Sequence, residues 1–437
     1  MRPTRILLLE ADGPESGAIA ATAAASGYQV HAATDLATQA TYDANLQRLL
    51  SGYLLTDFSH PEQALDDIVS YVRRTSVEAV LTTNEFLTVL LAQACSELDL
   101  PGNDPSRGAV ARNKAAMAEA FTRDAVNAPR TWTINVEDDL QELRETGQLT
   151  FPCVLKPADG AGSAGVTVMR TPADAGAAWR AVRQTRGMYA ASPDPRVLVQ
   201  EYVDGTEYSV ESLTQGGAVT HLCITRKGVT KGAQRVETCH SLPVVLPFEI
   251  ERAVFREVEK AIQAAGICNG ASHTEVIIAP GGRCAVIEIA ARIGAGQIGF
   301  LIQHALGINP WAALVDTALG QPADLTRAHH GHATVRFLTS EVAGRLLSVT
   351  GLPLVGPSVP SVRLRIAVGG AVNKTRSNRE RLGSFIVTGP DAKRVEERAD
   401  ALQQHVRIEV EPLKLMHRNL TTSESDDDPF KSHVDHG

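Results

Sequence analysis

Aromatic residues are scarce in this chain, and the basic residues form no cluster beyond short pairs. Phe, Trp and Tyr together make up 5% of the 437 residues, and the formal net charge is −8 at pH 7. Nucleic-acid-binding surfaces usually carry a basic patch, often with aromatic side chains that stack on bases. The composition therefore argues against a nucleic-acid partner, whereas 43% hydrophobic and 21% charged residues are typical of a globular enzyme.

Long apolar runs are also missing, and the cysteines show no paired spacing. No stretch is long enough to span a bilayer, and the apolar run after Arg5 is far shorter than a secretory signal. The six cysteines include no C-x-x-C pair, which argues against a disulfide framework and against a zinc site. We therefore expect a cytoplasmic protein in a reducing compartment, without a membrane partner.

One glycine-rich segment has the spacing of a dinucleotide-binding loop. In FPCVLKPADGAGSAGVTV, residues 151–168, three glycines form the pattern G-x-G-x-x-G. In a Rossmann site the last glycine begins a helix whose N-terminus meets a pyrophosphate. Here the β-branched run V-T-V follows at 166–168 and favours a strand. We predict a flap between two strands whose backbone N–H groups close over phosphate, and the alternative is a flexible hairpin without a ligand.

The order of predicted elements divides the chain into regions. Near the N-terminus, strands such as RILLLE, YQVHAAT and EAVLTT alternate with helices near 15–26 and 85–97, which predicts a parallel α/β sheet. From Phe151 the chain favours paired strands, including two runs around residues 204–205. After about residue 330, strands return with one amphipathic helix. The predicted units are an N-terminal α/β domain at 1–112, a central domain at 113–330, a C-terminal α+β domain at 331–416 and a disordered acidic tail at 417–437.

The most specific chemical signal is a pair of glutamates in HTEVIIAPGGRCAVIEIAAR, residues 273–292. A hairpin that turns at the Gly-Gly pair places Glu275 opposite Glu288. The same register predicts four apolar neighbours on the glutamate face, namely Ile277, Ala279, Cys284 and Val286. Two like charges on such a face repel, so a cation must lie between them. Mg²⁺ is the predicted cation, and a structural ion pair with Arg292 or another basic residue is the alternative.

Two lysines and a third glutamate are candidate nucleotide contacts. Lys156 lies within an apolar strand beside the glycine loop, so it is either a phosphate ligand or a side chain whose amine reaches water. Lys114 begins a predicted helix, where a solvated helix face is the simpler interpretation. Glu207 follows an extended segment that can offer backbone groups to an adenine, and its carboxylate can accept hydrogen bonds from a ribose. Arg292 also has the planar geometry that binds a substrate carboxylate.

Taken together, these segments resemble the ATP-grasp superfamily from about residue 5 to residue 410. The matching segments are N-K-x-x-M at 113–117, V-L-K-P at 154–157, the loop at 159–166, Q-E-Y-V-D-G-T-E-Y-S-V-E at 200–211, H-T-E at 273–275 and E-I-A-A-R at 288–292. With R-L-G-x-x-x-x-x-G at 381–389, they look most like the carboxylate-amine ligases that join amino acids, the L-amino-acid ligases. The resemblance implies an N-terminal Rossmann-like parallel α/β domain, a central ATP-grasp domain with a small lid at about 120–203, and a C-terminal α+β domain.

The resemblance also implies roles for individual residues. The residues that would bind ATP are Lys114, Lys156, Gly160, Gly162, Ser163, Ala164, Gly165, Glu201, Tyr202, Val203 and Glu207. The metal ligands would be Glu275 and Glu288, with two Mg²⁺ ions expected and Mn²⁺ able to substitute. Catalytic roles would fall to Arg292, Lys156 and His273. Substrate contacts would fall to Glu85, His240, Arg292 and Gly294.

The chemistry that the resemblance implies is ATP-dependent amide formation. A carboxylate attacks the γ-phosphate to give an acyl phosphate and ADP, and an amine then displaces phosphate. The substrates would be small acids and amines, at least one of them an amino acid, and the enzyme would be a homodimer. Two departures from the superfamily pattern stand out: Ala290 replaces an asparagine that serves as a third metal ligand, and Cys239 replaces a glycine beside His240.

Three other functions are alternatives to this one. The first is another ATP-grasp chemistry, such as a carboxylase or a nucleotide-pathway ligase. The second is a nucleotide-binding protein without turnover, which Ala290 favours slightly. The third is an NAD-dependent Rossmann enzyme, which rests on the glycine spacing and conflicts with the strand predicted after it.

Overall fold

The N-terminal region of the computed structural model is a parallel α/β layer; the structure describes residues 3–185, 189 and 194–412. Its elements are β1 (Arg5–Leu9), α1 (Pro14–Ala25), β2 (Gln29–Thr34), α2 (Leu36–Gln39), α3 (Ala44–Leu49), β3 (Leu50–Leu55), α4 (Pro61–Thr75), β4 (Ala79–Leu81) and α5 (Thr88–Glu97). The sheet order is β3-β2-β1-β4, with every pair parallel, as predicted. The helix expected from Glu85 begins as a 3₁₀ turn, Glu85–Leu87, because the Asn84 side chain caps the N–H of Phe86.

A small antiparallel sheet with helices follows, which we call the lid. Its elements are α6 (Lys114–Arg123), β5 (Thr131–Ile134), α7 (Glu137–Glu145), β6 (Cys153–Pro157), β7 (Thr167–Met169), α8 (Ala175–Gln184) and β8 (Val197–Glu201). The strand order is β5-β8-β6-β7. Strands β6 and β7 pair antiparallel on either side of the glycine loop, which confirms the predicted strand-loop-strand connection. A Rossmann turn at this loop is thereby excluded.

The large sheet begins immediately after the lid. The next elements are β9 (Thr206–Gln215), β10 (Ala218–Val229), β11 (Glu237–Leu242), α9 (Phe248–Ala264), β12 (Gly270–Ile278), β13 (Cys284–Ala290), α10 (Ile298–Leu306) and α11 (Pro310–Ala318). The two strands on either side of residues 204–205 do not pair with each other, because β8 belongs to the lid sheet and β9 to the large sheet. This segment is therefore a crossing between two sheets.

The C-terminal region adds three strands to the same large sheet. Its elements are β14 (His332–Leu338), β15 (Gly344–Thr350), β16 (Ser361–Leu364), β17 (Ala371–Val372), β18 (Gly383–Gly389), α12 (Ala392–His405) and β19 (Arg407–Pro412). The large sheet has the order β13-β12-β9-β10-β11-β14-β18-β16, so it continues across the boundary predicted near residue 330. A separate sheet of three strands has the order β17-β15-β19. The predicted acidic tail at 417–437 lies outside the described residues.

One hydrophobic core connects the N-terminal sheet to the large sheet. Ile6 and Leu8 of β1, Trp311 of α11 and Val335 of β14 belong to the same buried cluster. Helix α11 packs against both α1 and β4, so it fixes where the carboxyl ends of the parallel strands lie relative to the large sheet. Within the described residues no single helix is long and apolar enough to cross a membrane, and α10 with α11 would qualify only as a pair bent by 110°.

Replacing Trp311 with alanine is expected to destabilise this junction strongly. The side chain is 2% exposed, and truncating a buried aromatic residue typically costs about 3–5 kcal/mol of unfolding free energy. The matched control is Phe248→Ala, because Phe248 is 71% exposed and its removal is expected to cost less than about 0.5 kcal/mol. Urea unfolding followed by circular dichroism measures both variants, and equal transition midpoints would contradict the assignment.

Candidate active site

A cavity of about 350 Å³ lies where the lid, the large sheet and the C-terminal region meet. Most residues predicted to bind nucleotide, metal or substrate line it: Glu85, Lys114, Lys156, Gly160, Gly162, Ser163, Ala164, Glu201, Tyr202, Val203, Glu207, His240, His273, Glu275, Glu288 and Arg292. Two other predicted residues do not line the cavity. A Cβ added to Gly165 would lie 3.3 Å from Val182 Cα of α8, and one added to Gly294 would lie 2.7 Å from His273 Nδ1.

The two glutamates face each other across β12 and β13, as predicted. Glu275 is the register partner of Glu288. The predicted register also holds for His273 with Ala290, but between the glutamates and the turn it is wrong by one residue, because the pairing shifts between Glu275 and Val276 and leaves Ile287 as an extra residue in β13. Two of the four predicted neighbours, Cys284 and Val286, consequently lie in the core under α9, and Ile277 lines the cavity. The bulge therefore lets both glutamates face the cavity, while Cys284 and Val286, which lie between the bulge and the turn, point into the core.

Each glutamate contacts a buried lysine from a different element. Lys114, at the start of α6, donates from Nζ to Glu288 Oε1 at 2.7 Å and to the carbonyl oxygen of Gly160 at 2.8 Å. Lys114 is 5% exposed, so the interpretation as a solvated helix residue is wrong. Arg292, the predicted alternative partner of Glu288, donates instead to Glu85 Oε2 at 2.5 Å.

Lys227 of β10 is the cation for the second glutamate, and sequence reasoning missed it. Its Nζ donates to Glu275, lies 2.9 Å from Glu237 Oε1 and lies 3.7 Å from Glu207 Oε1. Burial alone would lower the pKa of Lys227, but the surrounding carboxylates hold it well above its usual value. The signal in the sequence was an ionisable residue inside the strand ITRKGV, but no spacing rule connects it to glutamates on other strands.

Lys156 occupies the lid side of the cavity. Its Nζ donates to Gln200 Oε1 at 2.9 Å, and Gln200 in turn donates to Thr131 Oγ1 at 2.9 Å. Burial lowers the pKa of Lys156 to about 8, and Glu288 opposes part of that shift. This lysine therefore loses its charge at mildly alkaline pH, whereas an anion bound in the cavity would favour the charged form.

Two histidines are buried against carboxylates at the cavity floor. His273 Nδ1 lies 2.8 Å from Glu211 Oε1, and its Nε2 lies 3.4 Å from Glu275 Oε1. Burial alone would lower the pKa of His273, but Glu211 raises it to about 9. His240 Nε2 lies 3.2 Å from Glu237 Oε2. Glu211 thus holds the ring of His273, whereas the His240 ring is hydrogen-bonded through Nδ1 to the carbonyl oxygen of Gly296 at 3.1 Å.

A turn from the C-terminal region completes the cavity wall. Asn378 is buried, donates its backbone N–H to the carbonyl oxygen of Gly162 at 3.2 Å, and accepts from the backbone N–H of Glu237 at 3.0 Å. Arg381 donates from Nε to the Asn378 carbonyl oxygen at 2.9 Å and from Nη1 to Glu237 Oε2 at 3.3 Å. In the sequence, Arg381 was recognised only as part of a family motif, and no role was predicted for it. Asn378 was not predicted at all.

The donor set of the glutamate pair suits a hard divalent cation. Mg²⁺ prefers carboxylate oxygens and is usually held by one or two carboxylates together with phosphate oxygens and water. Glu275 and Glu288 supply two such carboxylates on adjacent strands, and Ala290, the register partner of His273, supplies none. Among the residues that the structure describes, no three His, Cys, Asp or Glu side chains form a metal-binding group. The pair therefore fits a cation that binds together with a nucleotide.

The lid sheet and the large sheet, with lysines and paired glutamates between them, agree with the arrangement that the ATP-grasp resemblance implies. Residues 149–300 match the ATP-grasp domain, and residues 336–411 match the L-amino acid ligase C-terminal domain 2. The chain thus carries an ATP-grasp domain followed by an L-amino acid ligase C-terminal domain.

Individual relatives agree with this assignment. The chain is 26% identical over 305 residues to alanine-anticapsin ligase of Bacillus subtilis, covering 62% of this chain and 64% of that one. It is 28% identical over 294 residues to dapdiamide A synthase of Enterobacter agglomerans, covering 64% and 68%. The crystal structure of L-amino acid ligase from Bacillus licheniformis matches with a TM-score of 0.78 at 21% identity, covering 94% and 100%. The predicted ATP-grasp architecture is thereby confirmed, although the chain spans somewhat less than two thirds of the length of alanine-anticapsin ligase.

Replacing Lys227 with methionine is expected to destabilise the protein, because three buried carboxylates would lose their shared cation. Removing one partner of a buried ion pair typically costs about 3–5 kcal/mol. Arg235→Met is the matched control: its partner is Glu207 at 3.2 Å, and the side chain is 26% exposed, so a loss below about 1 kcal/mol is expected. Adding Glu237→Gln to Lys227→Met is expected to restore part of the stability. Urea unfolding distinguishes the variants, and equal losses for the lysine variant and the control would contradict this role.

Proposed function

We propose that this protein is an ATP-dependent carboxylate-amine ligase that joins two small molecules, at least one an amino acid, and releases ADP and phosphate. The observation that carries the proposal is one cavity in which Lys114 and Lys156 lie between the glycine loop and the facing pair Glu275 and Glu288. The names of the relatives, alanine-anticapsin ligase and dapdiamide A synthase, support amide formation between amino-acid-like substrates.

The nucleotide would lie between the lid and the large sheet. The segment Glu201–Val203 and Glu207 line the cavity at the crossing between the two sheets, where an adenine and a ribose would bind. Lys114 and Lys156 would contact the phosphates, because phosphate oxygens can replace their present acceptors, Glu288 and Gln200. The glycine loop would cover the same phosphates with its backbone N–H groups.

The metal ions would bind at Glu275 and Glu288 when the nucleotide is present. Mg²⁺ supplies positive charge beside the phosphate oxygens and so reduces the repulsion between ATP and an incoming carboxylate. We propose two ions, with Mn²⁺ able to substitute. Since Ala290 offers no oxygen, the two glutamates would be the protein ligands, and phosphate oxygens and water would complete the coordination.

The acid substrate would be held near the γ-phosphate by Arg292. This arginine is paired with Glu85, and both side chains line the cavity. Its planar guanidinium matches a carboxylate or the charged acyl phosphate, so it would orient the first substrate for attack. His273 is charged, with its pKa raised to about 9, and would add positive charge near Glu275. His240 would shape the substrate side, and the amine of the second substrate would then displace phosphate.

We also propose a cytoplasmic enzyme that acts on free small molecules as a homodimer, without a nucleic-acid or membrane partner. The acidic composition and the scarcity of basic clusters support the absence of a nucleic-acid partner. The six cysteines are all free, and four are buried, which suits a reducing compartment.

A substrate screen is the direct test of the ligase proposal. Mixtures of amino acids and carboxylic acids are incubated with ATP and Mg²⁺, with and without bicarbonate, and products are identified by mass spectrometry. The expected result is ADP release together with a product whose mass equals two substrates minus water. Bicarbonate-dependent ADP release would support a carboxylase instead, and ATP binding without ADP release from any mixture would support a binding protein.

Glu288→Gln is expected to abolish ADP release with every substrate pair. The amide keeps the size of the side chain but removes the charge that would hold the metal ion. Glu249→Gln is the matched control, because Glu249 is an exposed residue in the first turn of α9. Phosphate release and ADP formation measure the effect, and turnover of the Glu288 variant at the wild-type rate would refute the metal assignment.

Nucleotide affinity is expected to fall as the pH rises above about 8. The pKa of Lys156 is lowered to about 8 by burial, so the lysine is charged below that pH and neutral above it. Phosphates favour the charged form, so ADP affinity should be constant below pH 8 and fall up to about tenfold per pH unit above it, with proton uptake on binding. Lys156→Arg keeps its charge and is expected to give a flat profile. Isothermal titration calorimetry measures both quantities, and a flat wild-type profile would contradict this account.

A further inference from the structure

Phe86 lies between two arginine side chains from different parts of the chain. The Cζ atom of Arg112 is 4.1 Å from the centroid of the Phe86 ring, and that of Arg379 is 5.7 Å from it. Phe86 belongs to the 3₁₀ turn that follows β4, Arg112 precedes α6, and Arg379 lies in the C-terminal 3₁₀ turn Asn378–Glu380. The ring therefore connects three regions of the molecule at one point.

Arg112 connects this ring to the start of the glycine loop. Its Nη2 donates to Asp159, the residue before Gly160, and the arginine side chain is only 10% exposed. Its Nη1 is buried and, among the described residues, has no hydrogen-bond partner. A guanidinium over an aromatic face is attracted by the ring electrons, so stacking on Phe86 stabilises the buried charge of Arg112.

Arg379 connects the same ring to the tip of the glycine loop. The neighbouring Asn378 donates its backbone N–H to the Gly162 carbonyl oxygen at 3.2 Å. A Cβ added to Gly162 would lie 3.9 Å from Arg379 Cγ, so the loop tip packs against the arginine stem. The φ angle of Gly162 is 64°, which a glycine adopts without strain and which turns the loop tip toward this contact. The start and the tip of the loop are thus contacted by arginines that share one ring.

We propose that Phe86 is a positioning residue which, with Arg112 and Arg379, forms a latch that holds the glycine loop closed over the nucleotide. The inference rests on the proposed ligase function and deepens it. Phe86 does not line the described cavity, whereas Arg379 does. Any effect of Phe86 on the reaction must therefore pass through the two arginines and the loop.

The latch has a consequence that a simple binding residue would not have. A closed loop excludes water from an acyl phosphate until the amine arrives. A weakened latch would open more often, so water would hydrolyse the acyl phosphate and release phosphate without a condensed product. The quantity that reports the latch is therefore the ratio of phosphate released to product formed, together with the rate at which nucleotide leaves.

The test compares Phe86→Leu with Phe86→Tyr, and Arg379→Ala with Arg376→Ala. Leucine keeps apolar bulk without a ring, and tyrosine keeps the ring; Arg376 is an exposed arginine of the same segment. Losing one contact in Arg379→Ala, or both in Phe86→Leu, is expected to raise the phosphate-to-product ratio and the dissociation rate of a fluorescent ADP analogue about twofold to tenfold. The tyrosine and Arg376 variants are expected to match wild type. Combining Arg379→Ala with Phe86→Leu should add little to Phe86→Leu alone, because the leucine already removes both cation–ring contacts.

Several results would overturn the latch. A Phe86→Leu enzyme with a wild-type ratio and a wild-type ADP dissociation rate would do so, as would a raised KM for ATP without any change in the ratio. If Phe86→Leu does not fold, Arg379→Ala and Arg112→Lys carry the test, since both keep Phe86 in place. If wild type forms no condensed product with any pair, the ligase proposal fails, and the ADP dissociation rates still decide the latch separately.

Discussion

The central constraint of this structure is that several carboxylates are buried together and need positive charge. Glu275 and Glu288 face each other on adjacent strands, and Glu207 and Glu237 lie next to them around Lys227. In an interior of low dielectric constant, like charges at such distances are destabilising unless cations are interposed. Each glutamate of the facing pair is accordingly paired with a buried lysine. These pairs prepare the cavity for a polyanion and its metal ions.

The cations come from every part of the fold. Lys114 begins α6, Lys156 lies in a lid strand, Lys227 lies in the large sheet, and Arg381 comes from the C-terminal region. Because these elements are far apart in sequence, the charge balance of the cavity depends on how the lid and the C-terminal turn lie against the large sheet. This links the electrostatics of the site to the position of the lid, since moving the lid would take Lys156 away from Glu288. A site of this kind suits chemistry in which binding, activation and protection from water must occur together.

Local patterns predicted the parts of the site that depend on neighbouring residues. The strand after the glycine loop followed from the V-T-V run, and the pairing of Glu275 with Glu288 followed from a hairpin with a Gly-Gly turn. The bulge at Ile287 was not predictable, because nothing in the local sequence marks where a register shift occurs. Lys227 and Asn378 were missed for a different reason. Their partners lie on distant strands, and only the tertiary arrangement brings them together.

The most direct test of the account is the fate of the carboxylate oxygen of the acid substrate. Attack of that carboxylate on the γ-phosphate transfers one of its oxygens to the phosphate that the amine later displaces. With the acid identified by the screen and labelled with ¹⁸O in its carboxylate, mass spectrometry of the released phosphate gives the answer. The account predicts one labelled oxygen in each phosphate released with product. Phosphate without label, released together with condensed product, would contradict activation of the carboxylate in this cavity.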